Sequence, residues 1–148
     1  MGRILAVDFG KKRVGLAVSD PLKITAQPFH VWTGNKPDEC IRYIRAVVTD
    51  QDIELIVIGY PFTLKNKTSQ STRNVDRFVA MLSMEVTIPI LKWDERLTSV
   101  AAHRIMHDLG EKPSRNKEKV DLLAATLILE NYLDYRHHQS AETGESKV

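Results

Sequence analysis

Two apolar segments near the start of the chain, joined by a short basic turn, constrain the fold most strongly. Residues 3–9 and 14–19 are rich in aliphatic side chains and long enough for strands, so the pair predicts a β-hairpin. Side chains alternate between the two faces of a strand, and Ile4, Ala6 and Asp8 therefore share one face. A carboxylate that continues an apolar face is costly to bury unless a charged partner meets it. The first strand is thus predicted to end on an acid with a role of its own.

The turn between these strands combines glycines with cations. Gly10 and Gly15 frame it, and at glycine the backbone can bend and a ligand can approach closely. Lys11, Lys12 and Arg13 lie between the two glycines. An acid beside a cationic, glycine-bounded turn indicates a metal and a phosphate. The alternative is a plain hairpin with a solvated, charged turn.

The remaining chain predicts a mixed α/β fold. A continuous apolar run at 53–59 indicates a strand buried on both faces, as in a sheet covered by helices. Pro37, followed by two acids, marks the start of a helix. The other predicted elements are strands at 26–33 and 86–92 and helices at 37–50, 71–84, 98–109 and 117–135. A meander followed by crossover units implies one mixed, five-stranded sheet flanked by helices, with ligands gathering at the carboxyl ends of the parallel strands.

Length and composition set wider limits. The chain has 148 residues, which predicts one domain at 1–136 and then a disordered tail at 137–148 that lacks apolar periodicity. The only cysteine, Cys40, excludes an intrachain disulfide and a cysteine-based zinc site. No apolar run approaches the ~20 residues of a membrane span, and the early first strand leaves no room for a signal peptide. A cytoplasmic protein without a membrane partner is therefore expected.

Acids from three separate elements are predicted to meet at one edge of the sheet. Asp8 ends the first strand, and Asp94 and Glu95 follow the last, although alternation does not decide which of the two faces the site. Asp121 begins an apolar helical stripe, where a lone carboxylate is costly unless it is paired or bound to metal. Mg²⁺ or Mn²⁺ prefers carboxylate oxygens. Two such ions, ~3.5–4 Å apart, can activate a water and stabilise the leaving oxygen in phosphodiester cleavage.

Basic residues accompany these acids in the sequence. They form three clusters, Lys11, Lys12 and Arg13, then Lys65, Lys67 and Arg73, then Lys112, Arg115, Lys117 and Lys119. A ring of cations around an acidic site is expected where metals perform the chemistry and side chains hold a phosphate backbone. The alternative for each lysine is a solvated charge. The alternative for Asp121 is an ion pair with Lys117 or Lys119.

Four segments resemble the motifs of one known family. Residues 8–20, 56–61, 94–98 and 119–125 are similar, in this order, to motifs of the YqgF/RuvX family of pre-16S ribosomal RNA nucleases, which are related to Holliday junction resolvases. The resemblance runs from residue 3 to about residue 135. It implies an RNase H-like fold and metal-dependent cleavage that processes the 5′ end of the 16S ribosomal RNA precursor in the cytoplasm.

The resemblance also implies roles for individual residues. Asp8, Glu95 and Asp121 would be the catalytic and metal-binding acids, and Glu95 is preferred to Asp94 on this ground only. Lys67 stands where the family often has glycine, so the shape of the 62–70 loop is expected to differ. The predicted nucleic-acid contacts are Lys11, Arg13, Arg96 and Lys119.

The sequence leaves the substrate and the activity open. Structured RNA and four-way junction DNA both fit, and a junction resolvase requires a symmetric dimer, whereas an RNA nuclease could be a monomer or a homodimer. A non-catalytic binding module on the same fold is a third hypothesis. A phosphotransferase of the actin and sugar-kinase type also opens with Asp-x-Gly, but it needs two such domains and this chain has the length of one.

Overall fold

The computed structural model of the protein describes residues 2–61, 70–95 and 117–143. Residues 62–69 of the predicted loop at 62–70 lie outside these residues, as does the predicted helix at 98–109, and Gln70 is already helical. The described elements are, in chain order, β1 (Arg3–Phe9), β2 (Arg13–Ser19), β3 (Ala26–Thr33), α1 (Pro37–Asp50), β4 (Ile53–Tyr60), α2 (Gln70–Ser83), β5 (Ile90–Asp94) and α3 (Lys117–Thr143).

The strands form one mixed sheet in the order β3-β2-β1-β4-β5. β2 pairs antiparallel with both β1 and β3, whereas β4 pairs parallel with both β1 and β5. The predicted α/β class with a mixed, five-stranded sheet is confirmed. Because β1, β4 and β5 run in the same direction, their carboxyl ends lie at one edge of the sheet.

Helices α1 and α2 cover one face of the sheet. α1 begins at Pro37, because proline at the first helical position loses no hydrogen bond there, and Asp38 and Glu39 complement the helix dipole. Ile44 of α1 and Phe78 of α2 are buried against the strands. The strand residues of this core include Leu5, Val7, Val14, Leu16, Ile56 and Ile58.

Helix α3 covers the opposite face. Its buried residues recur at helical spacing, and Trp93 of β5 donates a hydrogen bond from Nε1 to Oδ1 of Asn131 at 2.8 Å. The residues in this second core include Ile4, Ala6, Ala17, Val57, Ala124, Ala125, Ile128 and Leu129. Along the three described stretches, no helix combines the length and the apolar character needed to cross a membrane.

Two boundaries differ from the prediction by four residues or more. β5 begins at Ile90 rather than at residue 86, and Pro89 just before it has no amide hydrogen to donate to a sheet ladder. α3 continues to Thr143, through most of the segment predicted to be a disordered tail from residue 137. A helix that is already nucleated extends readily through polar residues, and Nε2 of His137 lies 3.2 Å from the carbonyl oxygen of Lys23. Residues 144–148 lie outside the described part of the chain.

Helix α3 passes directly over Gly15 of β2. A Cβ atom added at Gly15 would overlap the backbone carbonyl of Asp121 and would lie 3.3 Å from the Cβ atom of Asp121. The contact is possible only because Gly15 has no side chain, so Gly15 sets the distance between this end of α3 and the sheet.

Gly15→Ala is expected to lower the free energy of unfolding by about 2–3 kcal/mol, because the new methyl group meets backbone that moves only if α3 shifts. Gly59→Ala on β4 is the matched control. The Cβ atom added at position 59 would lie 2.6 Å from the terminal Cδ1 atom of Ile128 and 2.9 Å from Oε1 of Glu95. Both are ends of side chains, which can rotate away, and neither is backbone. Chemical denaturation of wild type, Gly15→Ala and Gly59→Ala measures the differences in the free energy of unfolding. An equal or larger loss in Gly59→Ala would contradict the role given to Gly15.

Candidate active site

The carboxylate of Asp8 lies at the carboxyl edge of the sheet, on the face covered by α3. Ile4 and Ala6 pack against α3, and alternation along β1 places Asp8 on the same face. Asp8 is only 4% exposed, although it is an acid at the end of a strand. A carboxylate buried to this degree requires polar or charged groups around it, as the sequence predicts.

Glycines flank Asp8 on both neighbouring strands. Gly15 is its register partner on β2. On β4, Ile58 is the register partner of Val7, and one further step along both strands places Gly59 beside Asp8. Since neither neighbour has a side chain, the surface around Asp8 is open to groups that arrive from α3 and from the end of β5.

Asp121 approaches Asp8 from α3. Its backbone lies over Gly15, and its Oδ2 accepts a hydrogen bond from Nε of Arg13 at 2.7 Å. The side chains of Arg13 and Asp121 are 31% and 19% exposed, so the ion pair is better shielded from water than a typical surface pair. Sequence patterns do not predict this partner, which lies 108 residues away along the chain.

Glu95 directly follows β5 and reaches over the other glycine. Its Oε1 lies 2.9 Å from the position that a Cβ atom of Gly59 would occupy. Trp93 packs against α3, so alternation along β5 places Asp94 on the opposite face, away from Asp8. The geometry therefore distinguishes the two acids, which the sequence pattern left equivalent, and Glu95 is the one that shares a face with Asp8.

The donors that these three acids offer suit a hard divalent cation. All are carboxylate oxygens, which Mg²⁺ and Mn²⁺ prefer, and Asp8 is held in a nearly buried position between the other two. Within residues 2–61, 70–95 and 117–143, no three acidic, histidine or cysteine side chains are placed to hold one ion. Asp121 is engaged by Arg13. The residue types and their shared face thus fit the cations, and binding requires the side chains to move closer together.

A cleft of about 280 Å³ opens beside Glu95. Its lining includes Phe9, Gly10, Lys11, Gly59, Asn74 and Glu95. Lys11 and Glu95 therefore line the same cleft. Asn74 is a polar residue of this cleft that the sequence does not single out, because nothing in the helical pattern of α2 distinguishes it.

The other residues predicted to contact nucleic acid do not line this cleft in the part of the chain that the structure describes. Lys119 is exposed on α3, two residues before Asp121. Arg13 lies beside the acids through its ion pair with Asp121. Arg96 lies outside the described residues, as do Lys65, Lys67, Lys112 and Arg115.

A polar network ties the ends of β4 and β5 to α2. Asp76 accepts hydrogen bonds from Oη of Tyr60 at 3.0 Å and from Nζ of Lys92 at 2.7 Å. The hydrogen bond from Lys92 lowers the pKa of Asp76, whereas burial and then the hydrogen bond to Asp76 raise the pKa of Tyr60. The network links β4 and β5 to α2 through contacts that are partly exposed to water. Sequence patterns do not reveal it, because its members come from three elements.

Comparison with known proteins supplies independent evidence on the family. Residues 2–135 match the family described as "RuvX: Holliday junction resolvase". A protein of Koribacter versatilis named "Putative pre-16S rRNA nuclease" is 42% identical over 135 residues, which are 91% of this chain and 88% of the relative. A protein of the same name from Chloroflexus aggregans is 36% identical over 91% of this chain and 95% of the relative.

Solved structures of low sequence identity share the fold. T. thermophilus RuvC in complex with a Holliday junction superposes with a TM-score of 0.57 at 17% identity, over 93% of this chain and 96% of that chain. The yeast mitochondrial Holliday junction resolvase gives a TM-score of 0.58 at 12% identity, over 95% of this chain and 81% of that chain. These likenesses confirm the predicted RNase H-like fold. The family match and the relatives together show that the chain belongs to the RuvX family, as its four motifs predict.

Proposed function

We propose that the protein is a metal-dependent nuclease that hydrolyses phosphodiester bonds and processes the 5′ end of pre-16S ribosomal RNA in the cytoplasm. The observation that carries the proposal is the position of Asp8, which is 4% exposed and lies between two glycines covered by Asp121 and Glu95. Membership of the RuvX family supports the nuclease activity. The name of the relatives at 36% and 42% identity supports the ribosomal RNA substrate.

Asp8, Glu95 and Asp121 are the residues that would hold Mg²⁺ or Mn²⁺. Bound divalent cations of this kind supply activation of a water nucleophile and stabilisation of the leaving oxygen. The chain contributes a rigid frame for the carboxylates. Asp8 is on a central strand of the sheet, and Asp121 is on a helix whose distance from the sheet is set by Gly15.

Basic side chains near the acids would hold the phosphates of the substrate. Lys11 lines the cleft beside Glu95, and Lys119 is exposed close to Asp121. Arg13 has two roles in this proposal. It pairs with Asp121 in the structure, and its guanidinium would be available to a phosphate, through paired hydrogen bonds, if a bound cation held Asp121 instead.

Junction DNA is the second candidate substrate. The matching family is described as a Holliday junction resolvase, and the similar T. thermophilus RuvC is seen in complex with a Holliday junction. We favour RNA because the relatives that cover most of both chains are named for a ribosomal RNA precursor. Resolution of a four-way junction needs two cuts related by symmetry, and therefore a dimer, whereas RNA processing does not.

Asp8→Asn is expected to reduce the cleavage rate by about a thousandfold or more, because a neutral amide binds a divalent cation far more weakly than a carboxylate does. Asp50→Asn, which changes an exposed acid at the end of α1, is the matched control and should retain full activity. Gel assays of purified proteins with Mg²⁺ or Mn²⁺ measure the rates, and melting curves confirm folding. Equal cleavage by wild type and Asp8→Asn would contradict the assignment.

Precursor ribosomal RNA and four-way junction DNA should be assayed side by side with Mg²⁺, Mn²⁺ and EDTA. The RNA is expected to be cut with either cation and to stay intact in EDTA, and the junction is expected to resist. Sedimentation at the assay concentration reports the oligomeric state. Paired, symmetric cuts in the junction by a dimer would instead establish a resolvase. No turnover of either substrate would favour the non-catalytic module.

Arg13→Gln is expected to bind Mn²⁺ about three- to tenfold more tightly than wild type, because no guanidinium competes with the ion for Asp121. Titration calorimetry measures the affinity without any cleavage. Arg45→Gln serves as the control, since Arg45 forms an exposed ion pair with Glu85 at 3.3 Å, on the α1 side. An unchanged or weaker affinity in Arg13→Gln would show that Arg13 does not compete with the cation.

A further inference from the structure

A second cavity lies on the α1 and α2 side of the sheet, next to the β1–β2 turn. Its volume is about 250 Å³. Phe9, Phe78 and Met81 give it an apolar floor, and the ring centroids of Phe9 and Phe78 are 4.4 Å apart, with an angle of 32° between the planes. This volume is slightly below the range of about 300–1,000 Å³ for small-molecule sites, so the cavity suits a single ring system better than a larger ligand.

Polar groups surround this apolar floor. Asn35, in the loop before α1, and Asn74, on α2, bring two amide side chains to the lining. Lys11 and Arg77 are exposed cations of the same lining. Amides can hydrogen-bond the edges of a nucleobase, aromatic rings can stack on its face, and cations can bind the phosphates beside it. These three chemistries together describe a nucleotide with an unpaired base.

The cavity adjoins the cleft beside Glu95, because the two share lining residues. Phe9, Lys11 and Asn74 line both of them. A strand with one phosphate in the cleft could thus place an adjacent base at the mouth of the cavity. Lys11 lies at the junction, where it can contact the phosphate between the two positions.

We propose that this cavity binds one unpaired nucleobase of the substrate strand, next to the phosphate that lies in the cleft. The inference rests on the proposed nuclease function and adds to it a preference for unstacked nucleotides near the cleaved bond. Metal binding and catalysis are not needed for the base to bind, so the inference can be tested separately from the activity.

The test compares two oligomers of equal charge. One is a single-stranded RNA of about eight nucleotides, within the usual site size, and the other is an equally long chain of abasic tetrahydrofuran spacers. Fluorescence anisotropy in EDTA gives their affinities without cleavage. Wild type is expected to bind the RNA about tenfold more tightly than the spacer chain, because only the RNA has a base to stack in the cavity.

Asn35→Met removes one of the two amides and extends a longer, non-aromatic side chain over the mouth of the cavity, from an exposed loop position. It is expected to abolish most of the preference for RNA while leaving the affinity for the spacer chain unchanged. Gln27→Met, at an exposed position of the edge strand β3, is the matched control and should keep the preference. Arg77→Ala is expected to weaken the binding of both oligomers by a similar factor, because it removes a phosphate contact, and Arg42→Ala on α1 should weaken neither.

Equal affinities of wild type for the two oligomers would overturn the inference, as would an equal loss for both in Asn35→Met. If the preference for RNA is present but Asp8→Asn cleaves as well as wild type, the base site stands and the catalytic assignment fails. If cleavage depends on Asp8 but no preference for RNA exists, the nuclease stands and the base site fails. Melting curves confirm that each variant is folded.

Discussion

The free-energy cost of burying one carboxylate explains much of this structure. Asp8 continues the apolar face of β1 at 4% exposure, which requires compensating charge or hydrogen bonds nearby. Two further acids increase this free-energy cost, because Asp121 and Glu95 lie on the same face, over the neighbouring strands. Arg13 compensates part of the negative charge by binding Asp121. A sheet edge that gathers negative charge in this way is the kind of local conflict expected at a functional site.

Two glycines make this arrangement sterically possible. Glycine weakens a strand because it adds conformational entropy to the unfolded chain and provides no side chain to pack. At Gly15 the missing side chain admits the backbone of α3, and at Gly59 it admits the carboxylate of Glu95. The strands therefore lose some stability at the two positions beside Asp8. In return, acids that are distant in sequence come to lie on one face.

The sequence predicts the elements that depend on a local pattern of residues. It does not predict contacts between residues that are far apart along the chain. Alternation places Asp8 on the right face, and Pro37 marks the start of α1. The boundary at Ile90 was missed because an apolar run does not reveal which amides join a ladder, and the end of α3 was missed because helix extension needs no apolar pattern.

The pairing of Arg13 with Asp121 spans 108 residues, and no periodicity encodes it. The choice between Glu95 and Asp94 likewise needed the face of Trp93, which only packing against α3 determines.

Adjacent residues of one strand connect the two proposed sites. Because side chains alternate, Asp8 faces α3 while Phe9 faces α1 and α2, so the end of β1 contributes an acid to one side of the sheet and an aromatic ring to the other. One residue of strand separates them by about 3.3 Å along the chain, and both are fixed by the same backbone hydrogen bonds. A nucleic-acid strand that crosses this edge would meet both positions at once. Recognition of the base and placement of the phosphate would then be coupled through β1, which carries both residues.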